Sequence, residues 1–78
     1  MKVYAFFTEG CVYCICDSWR NAYLAMTQWF NNNYYTFEKM EHTEVFDSFK
    51  WVDVETGKAV EAFIEEFTLN DEFYLPHD

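Results

Sequence analysis

Seventy-eight residues with a formal charge of -9 leave room for one small domain with a modest core. The chain is 51% hydrophobic, and its 9 Phe, 6 Tyr and 3 Trp exclude the composition of an intrinsically disordered protein. Five Lys and Arg cannot supply the basic footprint that phosphate neutralisation requires, so direct nucleic-acid binding is excluded as well.

Val3-Tyr4-Ala5-Phe6-Phe7 is an apolar run without alternation, as in a strand covered on both faces, and Thr8-Glu9-Gly10 breaks it. From Val12 the apolar residues recur every three or four positions: Ile15, Cys16, Trp19, Ala22, Tyr23, Met26, Trp29 and Phe30. That spacing predicts an amphipathic helix of about 18 residues, closed by Asn31-Asn32-Asn33, a residue type suited to a left-handed helix end. Tyr34 to Met40 reads as a second strand, and strand, helix and strand together predict a parallel βαβ unit over residues 1–41.

Residues 42–68 then read as a hairpin followed by a helix. Glu41 to Asp47 is polar and reads as a loop or one helical turn; Phe49 to Val54 is a strand. Glu55-Thr56-Gly57-Lys58 is a hairpin turn with glycine at the positive-φ position, and Ala59-Val60 a short returning strand. Val60, Phe63, Ile64 and Phe67 fall on one face of a second helix, with Glu61, Glu65 and Glu66 on the other. Residues 69–78, which hold the only proline, Pro76, form a tail. The expectation is one domain in the order β-α-β-β-β-α, with a split βαββα sheet carrying two helices as the alternative.

Charge divides unevenly along this order. Residues 1–39 carry three acids and three bases, whereas residues 40–78 carry eleven acids and two bases and so hold the whole -9. Such acidity serves solubility, or it meets a basic partner. No apolar stretch approaches the roughly 18 residues of a membrane span, and Val3 to Phe7 is too short for a signal-peptide core. An odd number of cysteines, three, is not the count of a secreted disulfide framework, and the expected compartment is the reducing cytoplasm.

Gly10-Cys11-Val12-Tyr13-Cys14 is the segment with chemistry in its spacing. A C-x-x-C pair where a strand meets a helix would set Cys11 at the helix N-terminus, where unpaired amides favour a thiolate. Cys14 would lie within reach to resolve a mixed disulfide. Lys2 to Cys14, with this motif opening a long helix, resembles the start of a glutaredoxin or a small thioredoxin-like protein. The resemblance implies a reduced thioredoxin-like fold and a thiol-disulfide oxidoreductase, with Cys11 as nucleophile, Cys14 as resolving thiol and Tyr13 at the substrate edge. It also allows glutathione as cofactor. The family's proline before the third strand has no counterpart between Thr43 and Lys50, however, and Val60-Glu61-Ala62 stands where its paired glycines hold glutathione.

A different class of function fits the same residues. Glu61, Glu65, Glu66, Asp71, Glu72, Phe73 and Tyr74 place acids beside aromatic rings, as at a protein-binding surface with electrostatic steering. On this reading the chain is a non-catalytic binding or inhibitor protein whose acids imitate DNA charge in a basic groove of a protein partner. Both readings call for a protein partner and neither for a membrane. Zinc is not expected, since Cys11, Cys14 and Cys16 with His42 or His77 match no common structural site. Cys16 belongs to the apolar stripe, and the two histidines read as solvated loop and tail residues.

Overall fold

The computed structural model describes residues 1–68. Its elements are β1 (Lys2–Thr8), β2 (Cys11–Cys16), α1 (Trp19–Asn32), β3 (Tyr35–His42), β4 (Phe46–Asp53) and β5 (Ala59–Thr68). The strands form one sheet in the order β2-β1-β5-β4-β3, and every neighbouring pair is antiparallel. Neither the thioredoxin-like β-α-β-β-β-α domain nor the split βαββα sheet with two helices is present. β1 and β3, the expected parallel pair, are not neighbours, and α1 is the only helix among the described residues.

The first departure is at Gly10. Glu9 and Gly10 both have positive φ, 54° and 80°, and Thr8 pairs with Cys11, so the chain reverses in a two-residue hairpin of the type that matches strand twist. The C-x-x-C segment therefore lies on a strand. Its helical spacing arises from a bulge: Phe6 pairs with Cys14 and Phe7 with Val12, leaving Tyr13 as the extra residue. Val12 and Ile15 then fall on one face of β2 at a separation of three, which a period-based reading takes for a helix.

The helix itself begins at Trp19. Ser18 caps it from an extended conformation (φ -148°, ψ 155°), its Oγ accepting from the Asn21 amide at 3.1 Å. Asn21 Nδ2 donates to Asp17 Oδ1 at 2.9 Å across the same turn. At the far end the left-handed residue is Tyr34 (φ 64°), not one of the asparagines, and its amide donates to Asn31 O at 3.2 Å. Ala22, Met26 and Phe30, four apart, form the buried stripe. They pack on Phe6, Phe49, Trp51, Ala62 and Ile64 from three strands, β1, β4 and β5. The Phe30 and Trp51 rings stack at 4.7 Å with 6° between their planes.

β5 replaces the expected second helix. It is the central strand, paired over seven residues with β1 and seven with β4. Ala62 and Ile64 face α1 and are buried, while Glu61, Phe63, Glu65 and Phe67 alternate onto the opposite face. The turn before it is the one expected: Gly57 has φ 76°, its amide donates to Asp53 O at 2.8 Å, and Asp53 Oδ1 accepts from the Glu55 amide at 2.8 Å. Residues 41–47 contain no helical turn. A hairpin joins β3 to β4, where Thr43 Oγ1 donates to Phe46 O at 2.7 Å and accepts from the Phe46 amide at 3.0 Å.

Candidate functional site

Among the described residues one helix covers one face of a five-stranded sheet, and no element covers the other, the open face. Pairing register identifies its residues: Val3 and Phe7 on β1, Val12 and Ile15 on β2, Phe63 and Phe67 on β5, Phe46 on β4. The rings of Phe7 and Phe46 lie 5.5 and 5.2 Å from that of Phe63, making a connected aromatic strip. Toward β3 the same face becomes charged. Glu61 and Glu65 share it with Lys50 on β4 and Lys39 and Glu41 on β3. The two lysines have carboxylates of their own: Lys50 Nζ lies 3.6 Å from Glu38, and Lys39 Nζ 3.3 Å from Glu41. Glu61 and Glu65 have no basic ion-pair partner among the described residues.

The expected acidic row is therefore split. Glu61 and Glu65 are on the open face, but Glu66 turns to the side of α1, where Lys2 Nζ holds it at 3.0 Å. That pairing raises the Lys2 pKa, first through the hydrogen bond to Glu66 and then through its charge. Asp71, Glu72, Phe73 and Tyr74 lie outside the described residues. Phe7, Phe46, Phe63 and Phe67, which dominate the face, were not candidates from sequence. The signal for them is the alternation Glu61, Phe63, Glu65, Phe67, equally readable as a strand.

The cysteines lie at the edge of the sheet, not at a helix N-terminus, so the expected amide environment for a Cys11 thiolate does not exist there. All three are free; Cys11 is exposed, and Cys14 and Cys16 are half-buried against the core. Cys14 and Cys16 point to the same side of β2, with sulfurs 3.6 Å apart. Burial, and then the hydrogen bond with Cys16, push the Cys14 thiol up from 9.0 to about 11. Such a thiol stays protonated at neutral pH and is a poor nucleophile. Tyr13, expected at the substrate edge, is 44% exposed and lies 5.8 Å from the Phe6 ring and 5.1 Å from that of Trp29.

At the end of the sheet near the β3–β4 hairpin, a cleft of about 110 Å³ lies among Tyr4, Trp19, His42, Glu44, Asp47 and Glu66. Asp47 is buried there and accepts from Trp19 Nε1 at 2.7 Å and from His42 Nδ1. The bond from Trp19 ties the first turn of α1 to β4. Among the described residues no three His, Cys, Asp or Glu side chains come together to hold a metal ion. No helix among them is long and apolar enough to cross a membrane.

Compared with protein-family models, curated proteins and solved structures, the chain matches none.

Proposed function

We propose that this chain is a non-catalytic binding protein that presents the open face of its sheet to a protein partner with an apolar centre and a basic rim. The observation carrying this reading is the sheet face left uncovered by α1, where Phe7, Phe46 and Phe63 make a connected strip beside Glu61 and Glu65. Aromatic anchors supply contact area, and neighbouring carboxylates steer a basic partner and select it over acidic ones. An inhibitor that occupies a basic groove is the form of this function the acidity favours. With three free thiols, we place the protein in the cytoplasm.

The thiol-disulfide reading has less support. Its mechanism needs a nucleophile at a helix N-terminus, and here the motif sits on an edge strand with Cys14 held protonated. A capture experiment from lysate separates the two. Immobilised wild type, a Glu61→Lys/Glu65→Lys variant and a variant with all three cysteines changed to serine are each washed with rising salt. Binding is expected to survive cysteine replacement, to weaken with salt and to be lost on charge reversal. Capture that needs the cysteines and ignores the charge reversal would overturn the proposal.

A further inference from the structure

We infer that two copies of this chain pair antiparallel along β2, joining their sheets into one of ten strands. Among the described residues β2 is an edge, with β1 on one side only. Its sequence, Cys11-Val12-Tyr13-Cys14-Ile15-Cys16, has no charge and no proline, the residues that normally protect an edge from pairing. Val12 and Ile15 are 61% and 65% exposed. The opposite edge, β3, is built differently: Glu38, Lys39 and Glu41 stand along it, and its register shifts between Phe37 and Lys39. One edge is thus guarded and the other is not. β2 has a bulge too, but its extra residue, Tyr13, packs onto Phe6 and Trp29.

Charge selects a second copy as the occupant. Residues 1–34, which form β1, β2 and α1, carry two acids and two bases, and the rest of the chain carries the whole -9. Neighbouring strands are about 4.8 Å apart, so the acid-bearing strands β5, β4 and β3 lie roughly 10, 14 and 19 Å from β2. Across a β2–β2 junction the nearest acidic strands of two copies, the β5 strands, would be separated by about 24 Å. That exceeds the Debye length of about 8 Å at physiological salt, so repulsion between copies is weakest in this arrangement. An uncharged strand paired antiparallel about a two-fold axis is complementary to itself and closes the assembly at two. The two open faces then lie side by side.

The test is molar mass by light scattering and sedimentation across micromolar to millimolar concentrations, with a reductant present throughout. A concentration-dependent dimer is expected, together with slowed amide exchange in β2. Val12→Lys and Ile15→Lys, both on exposed side chains, are each expected to raise the dimer dissociation constant by at least about tenfold, since they supply the missing edge charge. Circular dichroism checks that these variants fold. Phe67→Glu, on the open face away from β2, should leave the dimer intact. A monomer at every concentration, a dimer that forms only without reductant, or a dimer broken by Phe67→Glu but not by the β2 lysines would each overturn the inference. None of these results bears on partner capture through the open face.

Discussion

Replacing Phe30 by alanine is expected to remove a large share of the stability of this protein. Phe30 is fully buried, stacks on Trp51 at 4.7 Å, meets Trp29 and Tyr35 edge-on at 4.8 and 5.2 Å, and lies 6.1 Å from Phe6. It therefore joins the last turn of α1 to β1, β3 and β4 at once. A buried Phe→Ala change costs about 3–5 kcal/mol, and this site cannot collapse easily because its walls are rigid rings. A domain of this length has a total stability of about 4–12 kcal/mol at 0.05–0.15 kcal/mol per residue. The loss is thus about a quarter of the whole or more. Urea denaturation followed by tryptophan fluorescence and far-ultraviolet circular dichroism measures it, with Phe67→Ala, on a ring 43% exposed, as the comparison. A cost below about 1 kcal/mol for Phe30→Ala, or equal costs for both variants, would refute the packing of α1 on this sheet.

Other predictions follow from local chemistry. Cys14, with its pKa at about 11, should react with a thiol reagent about 100-fold more slowly at pH 8 than a thiol at the ordinary 9.0, a difference that denaturant abolishes. Because its folded-state pKa is raised, the stability Cys14 contributes is fully present below about pH 9 and is lost as pH rises toward 11; urea midpoints against pH should show that fall, and Cys14→Ser should reduce it. Gly10→Ala should cost roughly 1 kcal/mol through backbone strain alone, since φ is +80° and nothing lies within 4 Å of an added Cβ. Ser18→Ala should cost about 1 kcal/mol by leaving the Asn21 amide without its cap. Asp47→Ala should cost about 1–3 kcal/mol by stranding the Trp19 indole N–H, and a double-mutant cycle with Trp19→Phe should show that the two losses are not additive.

Much of this fold is legible in the sequence where one structural period is clearly dominant. The strand at β1, the turn at Glu55 to Lys58 with Gly57 at positive φ, and the Ala22, Met26, Phe30 stripe each point to one structure, and the fold has all three. β1, however, expected to be covered on both faces, has Val3 and Phe7 on the face away from α1. Two segments support two periods. In Val60-Glu61-Ala62-Phe63-Ile64-Glu65-Glu66-Phe67 the apolar residues fit a helix face, and Phe63 and Phe67 also fit the outer face of a strand. The tie is broken by non-local pairing, since this segment has a strand to join on each side. At β2 the bulge at Tyr13 disguises alternation as helical spacing, and Glu9-Gly10 is a hairpin signal weaker than Asn-Gly or Asp-Gly. Mistaking β2 for a helix placed Cys11 in an electrostatic setting it does not have. Mistaking β5 for a helix put Glu61, Glu65 and Glu66 together and hid the phenylalanine face.

The claim that the open face is the binding surface is tested most directly by side-chain nuclear magnetic resonance of the protein with its captured partner. Signals of Phe7, Phe46, Phe63 and Phe67 are compared with that of Leu24, an exposed residue of α1. Shifts and loss of solvent accessibility at the four phenylalanines, with Leu24 unchanged, are the predicted result. Perturbation of Leu24 or of the Cys11 region, with the four rings unaffected, would contradict it.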